Sequence, residues 1–110
     1  MSDATKSQAD GYRAVGPSAG LQDNWVNPYY LEDLKHRVSV ARVGEALYAF
    51  DDIYANYPLS AGLLEGSVIM SQGDGSKWDL TDGSVVRGPA DTPLVTYEVI
   101  EKDGTILVRV

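Results

Sequence analysis

Two Asp-Gly pairs constrain the fold of this 110-residue chain more than any other feature of its sequence. The first, Asp82-Gly83, separates the strand-like segments 77–80 and 84–87, and the second, Asp103-Gly104, precedes the alternating segment 105–110. Asp-Gly is strongly favoured at the centre of two-residue hairpin turns, because both positions adopt positive φ. Each pair therefore predicts two antiparallel strands joined by a tight turn.

The segment 37–52 carries the same signal. Apolar and polar residues alternate with period two over 37–43, Gly44-Glu45 supplies a turn, and the sequence ALYAFDD then alternates back. We predict an all-β fold of seven to nine short strands, arranged as an antiparallel sandwich or incomplete barrel with a small loop-rich subdomain. The only predicted helical turn spans residues 31–35.

The domain organisation follows from composition. Residues 1–22 are rich in Ser, Ala, Gly, Asp and Gln without an apolar period, which predicts a flexible tail with contacts at Tyr12 and Val15. Residues 23–110 form the predicted domain. Its base is expected to comprise residues 24–52 and 84–110, and the segment 53–83 is expected to be an insertion on that base.

The charge and the cysteine content restrict the kinds of partner and of metal site that this chain can have. Nine basic against sixteen acidic residues give a formal net charge of −7, which disfavours nucleic acid and favours a protein partner with a basic surface. No apolar run reaches the ~20 residues of a membrane span, and the first residues lack the apolar core of a signal peptide, so we expect a cytoplasmic location. The absence of cysteine excludes disulfides and thiolate metal sites.

Two blocks of sequence together resemble one known family. ALYAFDD is followed closely by PLSAGLLEGSVI, and GSKWDLTDGSVVRGPA is followed by the closing hairpin. This order is similar to that of Rieske-type ferredoxins and of the Rieske domains of ring-hydroxylating oxygenases. The resemblance covers residues 37–110. It implies a fold in which two loops hold a [2Fe–2S] cluster through two Cys and two His.

The resemblance places Ser71 and Asp74 at the ligand positions of the second loop. Two registers are open for the first loop. Alignment on the strand end 51–53 gives Tyr54 and Asn56, whereas alignment on residues 58–60 gives Asp52 and Tyr54. None of these residues is Cys or His.

The single histidine, His36, lies upstream of both loops, where we expect a surface position. The family's cluster needs sulfur and imidazole donors, so we expect no cofactor. Tyr54 and Trp78 are then expected to fill the space of the cluster, and Tyr57 is expected to contact a partner.

The resemblance favours a non-redox docking subunit for an oxygenase or reductase, and not an enzyme. One alternative is an engineered cluster-free scaffold derived from an electron-transfer ferredoxin. Another is a small-ligand or hard-metal site in which Asp52 and Asp74 supply oxygen ligands. The same two carboxylates are also the only candidates for an acid/base pair.

Overall fold

The computed structural model describes residues 11–54 and 57–110, which form twelve β-strands and two short 3-10 helices. The strands are β1 (Tyr12–Pro17), β2 (Trp25–Leu31), β3 (His36–Val43), β4 (Ala46–Asp51), β5 (Ile53–Tyr54), β6 (Tyr57–Pro58), β7 (Leu63–Glu65), β8 (Val68–Met70), β9 (Lys77–Asp79), β10 (Val85–Arg87), β11 (Thr96–Lys102) and β12 (Thr105–Arg109). The 3-10 helices span Ser18–Gly20 and Leu59–Ala61. The all-β prediction is confirmed, and the number of strands exceeds the expected seven to nine because six of them have only two or three residues. Within the described part of the chain, no helix is long and apolar enough to cross a membrane.

Six antiparallel strands form one large sheet in the order β1-β12-β11-β4-β3-β2. Its two edge strands approach each other, since a Cβ on Gly16 of β1 would lie 3.1 Å from the ring of Tyr29 on β2. Arg13 of β1 also forms an ion pair with Asp33, which follows β2. The sheet is therefore a nearly closed barrel, as the sequence predicts.

Two smaller sheets lie in the chain between β4 and β11. β5 pairs with β6, and four strands form a second sheet in the order β10-β9-β8-β7. The prediction that the insertion ends at residue 83 is wrong, because Val85 of β10 pairs with Trp78 of β9. A hairpin does form around Asp82-Gly83, but its loop is longer than the predicted two-residue turn, because β9 ends at Asp79 and β10 begins at Val85. Both of its strands belong to the smaller sheet.

The buried residues form two cores. One lies between the large sheet and the smaller sheets, and we call it the inter-sheet core: Val26, Ala41, Phe50, Leu59, Ile69, Trp78, Leu80, Ala90 and Leu94. The other lies inside the large sheet, and we call it the barrel core: Leu21, Val40, Ala49, Ile106 and Val108. Because β3 and β4 contribute to both cores, the large sheet positions the smaller sheets directly.

The predicted flexible tail is wrong from Tyr12 onward, but the predicted contacts at Tyr12 and Val15 are correct, since Tyr12 pairs with Arg109 and Val15 packs against the barrel core. β1 pairs with β12 through a bulge between Ala14 and Gly16, and Leu21 is buried in the barrel core. The strand forms because β12 offers an open edge, and this pairing outweighs the Gly and Pro content of the segment. Residues 1–10 lie outside the described part of the chain.

The predicted helical turn at 31–35 is also wrong. Residues 32–35 form the turn of a hairpin, in which Lys35 adopts a φ of 50°. The pairing of β2 with β3 runs without interruption from Trp25↔Arg42 to Leu31↔His36, so residues 32–35 only connect the two strands. The N–H groups of Leu34 and Lys35 close this turn by donating to the carbonyls of Leu31 and Glu32.

Asp79 stabilises the turn between β9 and β10. One oxygen, Oδ1, accepts hydrogen bonds from the Thr81 backbone N–H at 2.9 Å, the Thr81 hydroxyl at 2.7 Å and the Ser67 hydroxyl at 3.4 Å. The backbone N–H of Thr81 is the main cause that lowers the pKa of Asp79 below 3.8. These bonds favour the ionised carboxylate in the folded protein.

A carboxyl with a lowered folded pKa stabilises the fold above its unfolded pKa, and this contribution is lost as the pH falls through the folded pKa. We therefore expect the melting temperature of the wild type to fall more steeply than that of Asp79→Asn below about pH 4. Thermal unfolding followed by circular dichroism measures both slopes. Asp103→Asn, on the other Asp-Gly turn, is the matched control, and parallel slopes for the wild type and Asp79→Asn would contradict the assignment.

Candidate functional site

The first of the two loops that the resemblance identifies as ligand loops, residues 52–62, is anchored by the buried carboxylate of Asp52. Its Oδ1 accepts hydrogen bonds from the Ser39 hydroxyl at 2.7 Å and from the Ser60 backbone N–H at 2.8 Å. Its Oδ2 lies 2.6 Å from Nε of Arg37, at an angle that makes the contact an ion pair and not a hydrogen bond. One fully buried side chain thus holds β3, the end of β4 and the second 3-10 helix together.

These contacts bear on the hard-metal alternative. Both oxygens of Asp52 face partners within the chain, while the carboxylate of Asp74 has its own partners, Tyr54 and Ser76. Over residues 11–54 and 57–110, no group of three or more His, Cys, Asp or Glu side chains is placed to hold a metal ion. Asp52 has the geometry of a structural anchor.

The second loop, residues 71–76, is closed by its own hydrogen bonds. The backbone N–H of Ser71 donates to the carbonyl of Ser76 at 2.8 Å, and the Ser71 carbonyl accepts from the N–H of Gly75 at 3.0 Å. The Ser71 hydroxyl oxygen accepts from the N–H of Gly73 at 3.1 Å. Ser71, at the family's cysteine position, is therefore buried and engaged in the turn.

Tyr54 connects the first loop to the second. Its ring packs edge-on against Trp78, with 4.7 Å between the ring centroids and 70° between the planes. Its hydroxyl donates to Oδ2 of Asp74 at 2.9 Å. Trp78 is fully buried and donates from Nε1 to the carbonyl of Thr92 at 3.1 Å. The resemblance places a cluster ligand at Tyr54 in both registers of the first loop, so this bridge starts from an expected ligand position in either case.

Asp74 is an exposed anion at the end of the second loop. Its Oδ1 accepts from the backbone N–H of Ser76 at 3.0 Å. That hydrogen bond is the main cause that lowers the pKa of Asp74, and the bond from Tyr54 adds to it. Asp74 is consequently ionised at neutral pH, at the position where the resemblance places the family's second histidine.

The β5–β6 hairpin presents an exposed tyrosine beside the second loop. Tyr57 is 52% exposed and Ile53 is 46% exposed, and Ile53 pairs with Pro58 across the hairpin. The ring of Tyr57 lies against Gly73, because a Cβ built there would be 2.5 Å from the ring. Ile53 and Pro58 lie on the opposite face of the hairpin from Tyr54 and Tyr57, because side chains alternate along a strand. We call Tyr57 and Asp74 the tip surface.

The donors at the former ligand positions do not fit a Rieske-type cluster. Such a cluster needs two thiolates and two imidazoles, whereas Tyr54, Ser71 and Asp74 offer oxygen atoms only. Asn56 lies outside the described residues. The chain has no cysteine, and its single histidine, His36, begins β3 and belongs to neither loop.

His36 takes part in a network that the sequence did not predict. Its Nε2 lies 2.6 Å from Oδ1 of Asp51, and the Tyr97 hydroxyl donates to the same oxygen at 2.5 Å. Burial, and then the bond to Asp51, raises the pKa of Tyr97 well above 10.0. Residues this far apart in sequence meet only through the pairing of β3, β4 and β11, so no local motif signals them. The prediction of a plain surface histidine is incomplete.

The contact between Tyr57 and Gly73 gives a test by double mutation. We expect Gly73→Ala to lower the free energy of unfolding by about 1 kcal/mol, because the new methyl group displaces the Tyr57 ring. In a Tyr57→Ala background the same substitution is expected to cost much less, since the clash is gone. Chemical denaturation of the four proteins measures the coupling, with Gly20→Ala as a control in an open position. Equal costs in both backgrounds would show that the ring does not lie on Gly73.

The bridge through Tyr54 gives a second test. Tyr54→Phe keeps the ring on Trp78 and loses only a solvent-accessible hydrogen bond, so we expect a loss below about 1 kcal/mol. Tyr54→Ala also removes the ring and is expected to cost about 2–3 kcal/mol, less than a fully buried aromatic. Denaturation curves of both variants measure the difference. Equal losses would contradict the packing role of the ring.

Known proteins resemble this chain both in sequence and in structure. No protein-family model matches the sequence. Ferredoxin CarAc of Metapseudomonas resinovorans is 33% identical over 73 residues, which cover 64% of this chain and 68% of that protein.

Solved structures share the fold. A chain from the complex of reduced oxygenase and oxidized ferredoxin in carbazole 1,9a-dioxygenase has a TM-score of 0.82 and 26% identity, covering 90% of this chain and 93% of its own. The ferredoxin of Sphingomonas yanoikuyae B1 has a TM-score of 0.81 and 22% identity, covering 87% and 95%. Three observations point to the same family: the two sequence blocks, the nearly closed sheet, and a relative that is matched over 68% of its length. This chain belongs to the Rieske-type ferredoxin family.

Proposed function

We propose that this chain is a cluster-free member of its family that docks on an oxygenase without carrying electrons. The observation that carries the proposal is the position of Tyr54, which joins the two former ligand loops through Trp78 and Asp74. A relative of known structure comes from a complex of an oxygenase with a ferredoxin, which supports an oxygenase as the class of partner.

A cluster held by two loops does two things in this fold: it carries an electron, and it links the loops through its four ligand bonds. In this chain the second role has a substitute. Tyr54 contacts Trp78 and Asp74, and Tyr57 covers Gly73, so side chains of the first loop reach the second loop twice. For electron transfer, the two loops offer no thiolate or imidazole ligands that could hold a cluster. We infer a protein that keeps the shape of a ferredoxin and has lost its redox centre.

The tip surface has the chemistry of a docking site. A half-exposed tyrosine offers a large apolar ring and a polar hydroxyl at low entropic cost, which is why tyrosine is common at interface hot spots. The excess of acidic residues favours encounter with a basic partner surface and makes the association sensitive to salt.

Binding to a terminal oxygenase of the carbazole 1,9a-dioxygenase type tests the proposal. We expect isothermal titration calorimetry to give a dissociation constant on the order of 1–100 µM, as is usual for small transient interfaces, weakening as salt is raised. Tyr57→Ala is expected to weaken binding by about tenfold.

Trp25→Ala is the matched control. Trp25 is 57% exposed, but it pairs with Arg42, at the end of β3 remote from the first loop. Equal effects of Tyr57→Ala and Trp25→Ala would place the contact elsewhere. The absence of binding would favour the alternative of an inert engineered scaffold.

A further inference from the structure

Resting on the proposed function, we propose that this chain is a competitive antagonist of cluster-bearing ferredoxins. It would occupy the ferredoxin site of the oxygenase and withhold the electron that the site normally receives. This inference adds a regulatory role to docking and assigns that role to the tip surface of Tyr57 and Asp74.

The overall shape supports competition for one site. The match to the chain from the ferredoxin–oxygenase complex covers 90% of this chain and 93% of the other, so neither carries a large addition. A site that admits a ferredoxin of this shape therefore has room for this chain as well.

The tip surface is held by contacts within the chain. Tyr54 fixes Asp74 by its hydroxyl, Trp78 fixes the ring of Tyr54, and Asp52 fixes the start of the same loop. None of these contacts requires a cofactor. A preorganised surface loses less conformational entropy on binding, so the chain needs no loading step before it competes.

Asp74 gives the tip a chemistry that differs from that of a cluster-bearing relative. Where the resemblance places an imidazole ligand, this chain presents an exposed carboxylate next to the Tyr57–Gly73 contact. We infer that a cationic side chain on the oxygenase meets this carboxylate. Removal of the charge should then weaken the antagonist without changing its fold.

The test is a steady-state assay with reductase, cluster-bearing ferredoxin and terminal oxygenase, in which ferredoxin is varied at fixed concentrations of this chain. Pure competition raises the apparent KM for ferredoxin by the factor 1 + [I]/Ki, which is about 11-fold at ten times Ki, and leaves kcat unchanged. Tyr57→Ala and Asp74→Asn are expected to raise Ki by about three- to tenfold. Trp25→Ala is expected to match the wild type.

Three outcomes overturn the inference, and they differ in what they say about docking. Measurable binding with an unchanged KM, or with a lower kcat at saturating ferredoxin, would mean a separate binding site, so that docking survives and antagonism does not. No binding and no inhibition would remove both proposals. Turnover with this chain in place of ferredoxin would show that it delivers electrons.

Discussion

The contact of Tyr54 with Trp78 is the interaction on which the rest of the site depends. Trp78 is buried in the inter-sheet core, where the four-stranded sheet meets the large sheet. The edge of the Tyr54 ring reaches it from the first loop, and the hydroxyl of Tyr54 continues to Asp74 in the second. Aromatic pairs of this geometry add about 0.5–1.5 kcal/mol to the burial of their area, and here that stabilisation connects two loops.

The contacts of Asp52 determine where Tyr54 lies relative to Trp78 and Asp74. Its buried carboxylate receives the Ser39 hydroxyl from β3 and the Ser60 N–H from the second 3-10 helix. The first loop therefore leaves the large sheet in a fixed direction, two residues before Tyr54. The network of His36, Asp51 and Tyr97 lies one residue earlier and strengthens the same corner of the sheet. The loop that presents Tyr57 is thus built on a rigid base.

Local sequence signals predicted those parts of the fold that local chemistry decides. The pairs Asp82-Gly83 and Asp103-Gly104 each predict a hairpin, and both hairpins form. Positive φ at both positions occurs at Asp103-Gly104, whereas in the other pair only Gly83 adopts it. Residues 12–17 were assigned to a tail because their composition is polar and Gly-containing, but the open edge of β12, some ninety residues away, makes them a strand. β10 was placed on the wrong sheet for the same reason, since periodicity reveals a strand and not its partner.

In the candidate site, too, the sequence predicts some features, while others depend on how distant segments meet in the folded chain. The family resemblance predicts ligand positions at Tyr54, Ser71 and Asp74, and the volume of their side chains predicts that Tyr54 and Trp78 pack between the two loops. The hydrogen bond from Tyr54 to Asp74 and the anchor at Asp52 depend on how two loops approach each other in space, which a single sequence does not specify. His36 meets Asp51 and Tyr97 through strand register alone.

The most direct test of the central claim is the iron and acid-labile sulfide content of the purified chain after anaerobic reconstitution with iron and sulfide. A cluster-bearing ferredoxin treated in parallel is the positive control, and near-ultraviolet circular dichroism reports whether the fold is intact. If side chains hold the loops together in place of a cluster, the chain will be folded, colourless and free of stoichiometric iron. A brown protein with two iron and two sulfide ions per chain, the stoichiometry of a [2Fe–2S] centre, would contradict the claim.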